Sequence, residues 1–291
     1  MTTTIESLLG NYTPKTKNEY VNAIQEIMQE ISLMGLWRAK FFEHAAFYGG
    51  TSLRILHGLD RFSEDLDFSL LKSDPTFNLH PFLKAIEEEL EISGLRVTVE
   101  HKIKHPEESI RSAFLKTGTL ETFIRIGLDE ALQRYTQSNE VIKIKLEIDI
   151  DPPMGFTTEI KYLTKPVPFS VRTYVPEDLF AGKIHALLCR PYKVRVKGRD
   201  WYDFIWYVAK GFRLHLSHLE NRMRQSGHYS SEKSLTQEAF LNLMEKKIEG
   251  LNLEAAKEDI KRFIRNPREI EGWSVDFFRS LLPRIQFSPE E

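Results

Sequence analysis

Residues 141–150 alternate without a break: Ile142, Ile144, Leu146, Ile148 and Ile150 fall on one face, Lys143, Lys145, Glu147 and Asp149 on the other. Successive side chains of an extended strand point to opposite faces, so this pattern demands a strand with one face on a core and one turned away from it. Pro152 and Pro153 stop it, because neither can donate to a strand ladder. Residues 65–71 repeat the pattern, with Leu66, Phe68 and Leu70 opposite Asp65, Asp67 and Ser69. A chain holding two such strands builds a sheet whose polar face carries carboxylates, which limits both the fold and the chemistry.

The periodicity changes at Pro176. Before it, Thr16-x-x-Glu19 has capping-box spacing and opens a helix that Gly35 is expected to end. A short helix over 36–43, a strand over 44–48, a glycine turn and a helix over 51–57 follow. The pattern then predicts a helix over 81–92 and a strand over 95–103, fits either strand or helix over 111–127, and suggests proline-broken edge strands over 162–175. After Pro176 every apolar segment has helical spacing: 176–190, 199–210, 215–226, 236–249, 253–265 and 275–284. The expected fold is α+β, with a mixed-sheet domain over 1–175 and an all-helical domain over 176–291.

Composition narrows the classes. Over 291 residues, 41% hydrophobic content supports a real core. Forty basic against forty-two acidic side chains leave no global field for nucleic acid, so a polyanion would have to meet a local patch. The single cysteine, Cys189, cannot form an internal disulfide and reads as a small core residue in a reducing compartment. No apolar run reaches membrane-spanning length and the first residues lack a signal-peptide pattern, so a cytoplasmic protein with no membrane partner is expected. The histidines show no HExxH or Cys/His metal spacing, and His215 and His218 have no nearby carboxylate pattern. There is no P-loop, dinucleotide fingerprint or nucleophile elbow.

Four groups of residues can carry chemistry. Gly49, Gly50, Thr51 and Ser52 form a glycine turn opening a helix, which offers backbone N–H groups to phosphate. Asp65 and Asp67, on one strand face, repel unless a cation lies between them, and Mg²⁺ is the usual hard-oxygen partner. A third metal carboxylate would come from Asp149, the better placed at the strand's end, or from Glu147; equally, that face could merely be solvated. In the helical half, Lys183 and Arg190 share one helix face and Asp200 and Asp203 another. From composition alone, two helices joined by Lys–Asp and Arg–Asp pairs is the stronger reading there, against a lysine placed for a triphosphate. Finally, Arg190, Lys193, Arg195, Lys197 and Arg199 stand with no acid among them and Tyr192 able to stack on a base, which suits RNA phosphates.

Gly49 to Leu53 followed by Arg61-Phe-Ser-Glu-Asp-Leu-Asp-Phe68 resembles the first motif of the AbiEii/AbiGii nucleotidyltransferase toxins, members of the DNA polymerase β-like nucleotidyltransferase superfamily. The Lys183-Ile-His-Ala-Leu187 helix and Arg199-Asp-Trp-Tyr-Asp203 are similar to its later motifs. The resemblance spans about 48–204; beyond 215 there are only helices. It implies a toxin encoded beside an AbiEi-like antitoxin, using an NTP with Mg²⁺, some members adding nucleotides to the tRNA acceptor end and halting translation. Carried over, Gly50 and Ser52 would hold the triphosphate, Asp65 and Asp67 the metal, Lys183 a phosphate, and Asp203, with Asp200 second, would complete the site; this reverses the composition-based reading of Lys183 and Asp203. The superfamily's third carboxylate has no unambiguous match. Transfer to a small-molecule or protein hydroxyl, or non-catalytic binding of nucleotide or RNA, are the competing expectations.

Overall fold

The alternating strands at 65–71 and 141–150 lie side by side in one sheet. The structure, a computed structural model, describes residues 4–102, 109–128, 130–134, 136–190 and 196–289. The chain divides into two units, one of residues 1–58, 62–152 and 160–173, the other of residues 59–61, 153–159 and 174–291. Two short segments preceding residue 174 thus belong with the helical part.

The first unit holds strands β1 (Ala45–Tyr48), β2 (Asp65–Leu70), β3 (Thr98–Lys102), β4 (Ile110–Gly118), β5 (Val141–Asp149), β6 (Thr158–Leu163) and β7 (Phe169–Tyr174) in the order β3-β4-β5-β2-β1-β7-β6. The sheet is mixed: β2 runs parallel to β5 and antiparallel to β1, while β1 runs parallel to β7. Helices α1 (Thr4–Leu9), α2 (Lys17–Arg38), α3 (Gly49–His57), α4 (His80–Ile92), α5 (Thr119–Arg125) and α6 (Glu130–Arg134) complete it. Leu66 and Phe68 of β2 and Leu146 and Ile148 of β5 enter one core with Ile27 and Ile31 of α2 and Leu83 and Ile86 of α4. Burying each such side chain contributes about 1.5–3 kcal/mol, so the apolar faces settle which way the strands turn. The carboxylates of β2 and β5 are thereby driven to the opposite face.

Several expectations change. The helix opened by Thr16, with both halves of its capping box formed, does not stop at Gly35 but runs to Arg38. Gly35 is there because α4 passes close: a Cβ on it would sit 3.0 Å from the Ala85 carbonyl oxygen and 3.3 Å from Ile86 Cα. The helix expected over 36–43 shrinks to one 3₁₀ turn, Phe41–Glu43. The ambiguous 111–127 segment is both, β4 followed by α5. Of the two strands that cover 162–175, β6 lies at an edge of the sheet and β7 does not, because it is inserted between β6 and β1.

The second unit is built of α7 (Pro176–Cys189), α8 (Gly198–Lys210), α9 (Leu216–Gln225), α10 (Gln237–Glu249), α11 (Leu253–Lys261) and α12 (Val275–Leu281). It is not wholly helical, since β8 (Arg213–Leu214) pairs in parallel with β9 (Gln286–Phe287). Phe180 of α7 and Tyr207 of α8 stack with ring centroids 4.4 Å apart. Asp178 in the first turn of α7 accepts the Thr157 N–H at 2.6 Å and pairs with His215, a carboxylate partner far away in sequence. His218 is buried edge-on to the stacked rings of Phe156 and Tyr174, its centroid 6.2 Å from each, and burial pulls its pKa down to about 3. Among the described residues no helix is long and apolar enough to cross a membrane.

Candidate active site

Strand register decides which carboxylates meet. In the parallel pair β2–β5, Asp65 lies opposite Lys145, Asp67 opposite Glu147 and Ser69 opposite Asp149. Residues opposite one another share a face, so the acidic neighbour of Asp67 is Glu147. Asp149, expected as the better third carboxylate, is one pair further along beside Ser69, and its Oδ1 accepts the Asp151 N–H at 3.1 Å. Lys145 Nζ reaches Glu147 Oε2 at 2.7 Å and offsets part of the acid charge. Asp65, Asp67 and Glu147 share one face of the sheet, and carboxylate oxygens are the hard donors that Mg²⁺ takes.

The glycine turn is fitted to this face. Tyr48 of β1 lies opposite Asp67, and α3 begins at the next residue. Gly49 has φ +81°, and a Cβ there would lie 2.5 Å from Asp67 Oδ2 and 3.1 Å from Asp67 Cβ. Glycine is required twice over, for the left-handed backbone and for the approach to the carboxylate. Tyr48 gives no side-chain cap to the first-turn N–H groups of α3, which suits a phosphate. The hydroxyls of Thr51 and Ser52, expected at the triphosphate, are turned inward. Thr51 Oγ1 donates to the Asp65 carbonyl, and Ser52 Oγ meets Thr173 Oγ1 at 2.9 Å, which in turn donates to the Phe47 carbonyl. Both residues are fully buried. They anchor the turn to β2 and β7, so its backbone N–H groups, with Gly49 and Gly50, are the groups it has to offer an anion.

In the second unit the pairing reading holds to the letter. Lys183 Nζ lies 3.0 Å from Asp200 Oδ1 and 2.7 Å from Asp203 Oδ2, and Arg190 reaches Asp200 Oδ2 at 2.7 Å. Asp203 is fully buried, and both its oxygens accept from Arg61, from Nε and an Nη at 2.6 Å each. Burial works against the charge on Arg61, yet Asp203's carboxylate and hydrogen bonds raise its pKa above the usual. Burial likewise opposes ionisation of Asp200, but Lys183 and Arg190 hold its carboxyl below the ordinary range. Arg61 had no role from sequence beyond its place in the motif; a buried partner 142 residues away leaves no local signal.

Of the basic stretch, Lys193 and Arg195 lie outside the described residues, as does Tyr192. Arg190 is committed to Asp200, Arg199 is buried with its guanidinium 4.2 Å from the Phe263 ring centroid, and Lys197 precedes α8. The described part is therefore tied into the fold more than a solvated charge run would be.

The family model described as "Nucleotidyl transferase AbiEii toxin, Type IV TA system" matches residues 31–279. Two solved structures from Helicobacter pylori share the fold. One, described as a candidate nucleotidyltransferase, has a TM-score of 0.50 at 15% identity, covering 89% of this chain and 92% of that one. The other, JHP933, has a TM-score of 0.50 at 16% identity over 90% of each chain. None of the curated proteins matches.

Proposed function

Since the chain belongs to the AbiEii toxin family of nucleotidyl transferases from type IV toxin–antitoxin systems, we propose that it moves a nucleoside monophosphate from an NTP to the 3′ end of tRNA in a Mg²⁺-dependent reaction. The observation that carries this reading is the register that sets Asp67 beside Glu147, with Asp65 on the same face and the start of α3 against Asp67.

Asp65, Asp67 and Glu147 would hold the metal, which supplies positive charge to the triphosphate oxygens. The first-turn N–H groups of α3 receive phosphate oxygens, where the helix dipole favours negative charge. Lys183 acts on phosphate as a point charge, and Asp200 and Asp203 are its positioning residues. Asp203 does not touch substrate in this reading, because both its oxygens are already taken by Arg61. The acceptor hydroxyl attacks the α-phosphorus in line: the new P–O bond forms as the bond to pyrophosphate breaks, and the hydroxyl proton leaves to solvent or a nearby base. The cognate antitoxin would be a protein resembling AbiEi.

The test is transfer of each labelled NTP to total cellular RNA by wild type and three variants. Asp67→Ala and Glu147→Gln should each lower transfer at least ~100-fold, whereas Asp149→Asn should stay within a few-fold. Equal loss in Asp149→Asn would move the third carboxylate, and full activity in Asp67→Ala would overturn the metal assignment. Label entering protein or small molecules instead of RNA would replace the acceptor.

A further inference from the structure

His185 and Cys189 stand one helical turn apart near the end of α7, so their side chains share a face. His228 comes to the same place from the turn after α9. That turn is held by backbone bonds from the N–H groups of His228 and Tyr229 to the Met223 carbonyl at 2.8 and 3.2 Å. One ligand atom from each residue lies within 4.8 Å of the other two. The Ser226 hydroxyl sits between the imidazoles, 2.8 Å from His185 Nε2 and 3.0 Å from His228 Nδ1. Cys189 is half-buried. Histidine and cysteine four apart match no zinc-finger or HExxH spacing, and the third member lies 39 positions on, so only the tertiary structure shows the group.

We propose that His185, Cys189 and His228 form a binding site for a thiophilic transition metal, with Zn²⁺ the natural occupant. One thiolate and two imidazoles are a zinc donor set with an open fourth position, for water or the Ser226 hydroxyl. Tetrahedral coordination at Zn–N ~2.0–2.1 Å and Zn–S ~2.3 Å places donors roughly 3.4–3.6 Å apart. The cluster therefore has to close by about 1 Å, and His228, exposed on its turn, is the side chain with room to do so. Cys189 binds as thiolate, and its proton is released to solvent as the sulfur–metal bond forms.

The site is distinct from the nucleotidyl transfer residues. Lys183 is two positions from His185, hence ~200° around α7, and its partners are Asp200 and Asp203. Soft donors here and hard oxygens on β2 and β5 select different metals, so Mg²⁺ should not compete. Bound metal would tie the last turn of α7 to the turn after α9.

The experiment uses the full chain stripped of metal, titrated with Co²⁺ and then Zn²⁺. Expected are a thiolate-to-cobalt charge-transfer band saturating at one equivalent, intense tetrahedral d–d bands, displacement by Zn²⁺ and none by millimolar Mg²⁺. Cys189→Ser should abolish the charge-transfer band. His185→Ala and His228→Ala should each weaken Co²⁺ binding at least ~10–100-fold, a loss comparable to or larger than that from an outer-shell change. Zn²⁺ should raise the Tm of wild type and not of Cys189→Ser. His228 is exposed, so its variant folds even where the α7 variants do not. Absence of the charge-transfer band in wild type, or wild-type Co²⁺ affinity in His228→Ala, overturns the proposal.

Discussion

Gly49→Ala separates backbone strain from damage to the carboxylate face. The methyl group would stand 2.5 Å from Asp67 Oδ2, where ordinary contact begins near 3.4 Å, so the carboxylate must retreat by about 1 Å. A misplacement of that size in a catalytic group costs on the order of 10²-fold in rate. The same substitution carries a second cost, because φ at Gly49 is +81° and an L-residue there is destabilised by ~1–2 kcal/mol. Gly58, which ends the same helix, provides the control: its φ is +75° and a Cβ meets nothing within 4 Å. Gly58→Ala should therefore lower Tm by roughly 2–8 °C and leave NTP transfer near wild type. Gly49→Ala should show at least that Tm loss and transfer reduced ~100-fold, measured with labelled NTP and total RNA well below both Tm values. Transfer in Gly49→Ala within about twofold of Gly58→Ala would refute the claim that Gly49 makes room for Asp67.

Two further outcomes follow from buried charge. Asp203→Asn should destabilise the protein by ~3–5 kcal/mol in urea, because Arg61 is left buried without its carboxylate, while Arg61→Met/Asp203→Leu should recover much of that loss. A single variant within ~0.5 kcal/mol of wild type would show that the pair is not structural. Burial, then the nearby Glu26 charge, pushes Glu30 up to about 7 from 4.5. The folded chain thus holds a proton that the unfolded chain releases between those values, and stability falls as pH rises through that window. Glu30→Gln, which keeps the shape of the protonated acid, should gain on the order of 3 kcal/mol above pH 7 and nothing near pH 4. Parallel stability–pH curves for wild type and variant would refute this.

The helix boundary at Gly35 shows why local signals stop short. Glycine commonly ends helices because it tolerates a left-handed cap, yet here it lies mid-helix where Ala85 and Ile86 of α4 come close. Ser52 is a similar case: a serine at a phosphate-binding turn suggests a hydroxyl for the ligand, whereas the fold turns that hydroxyl to Thr173. Lys183, Asp200 and Asp203 were legible as pairs, because their spacings along two helices are local. Arg61 was not, since nothing near it in sequence carries its partner.

By itself the sequence determined β2 and β5, their faces and the helices α7 to α12, because period-two and 3.6-residue patterns are properties of the local backbone. It also placed Asp65 and Asp67 together, since two residues apart on a strand leaves them no other arrangement. The tertiary structure alone decided that Glu147 and not Asp149 stands beside Asp67, because strand register is set by pairing between residues 80 positions apart in the chain. It decided too that Asp203 is closed off by Arg61 and that His228 joins His185 and Cys189. Such meetings depend on how whole elements pack, and no pattern within a single element encodes them.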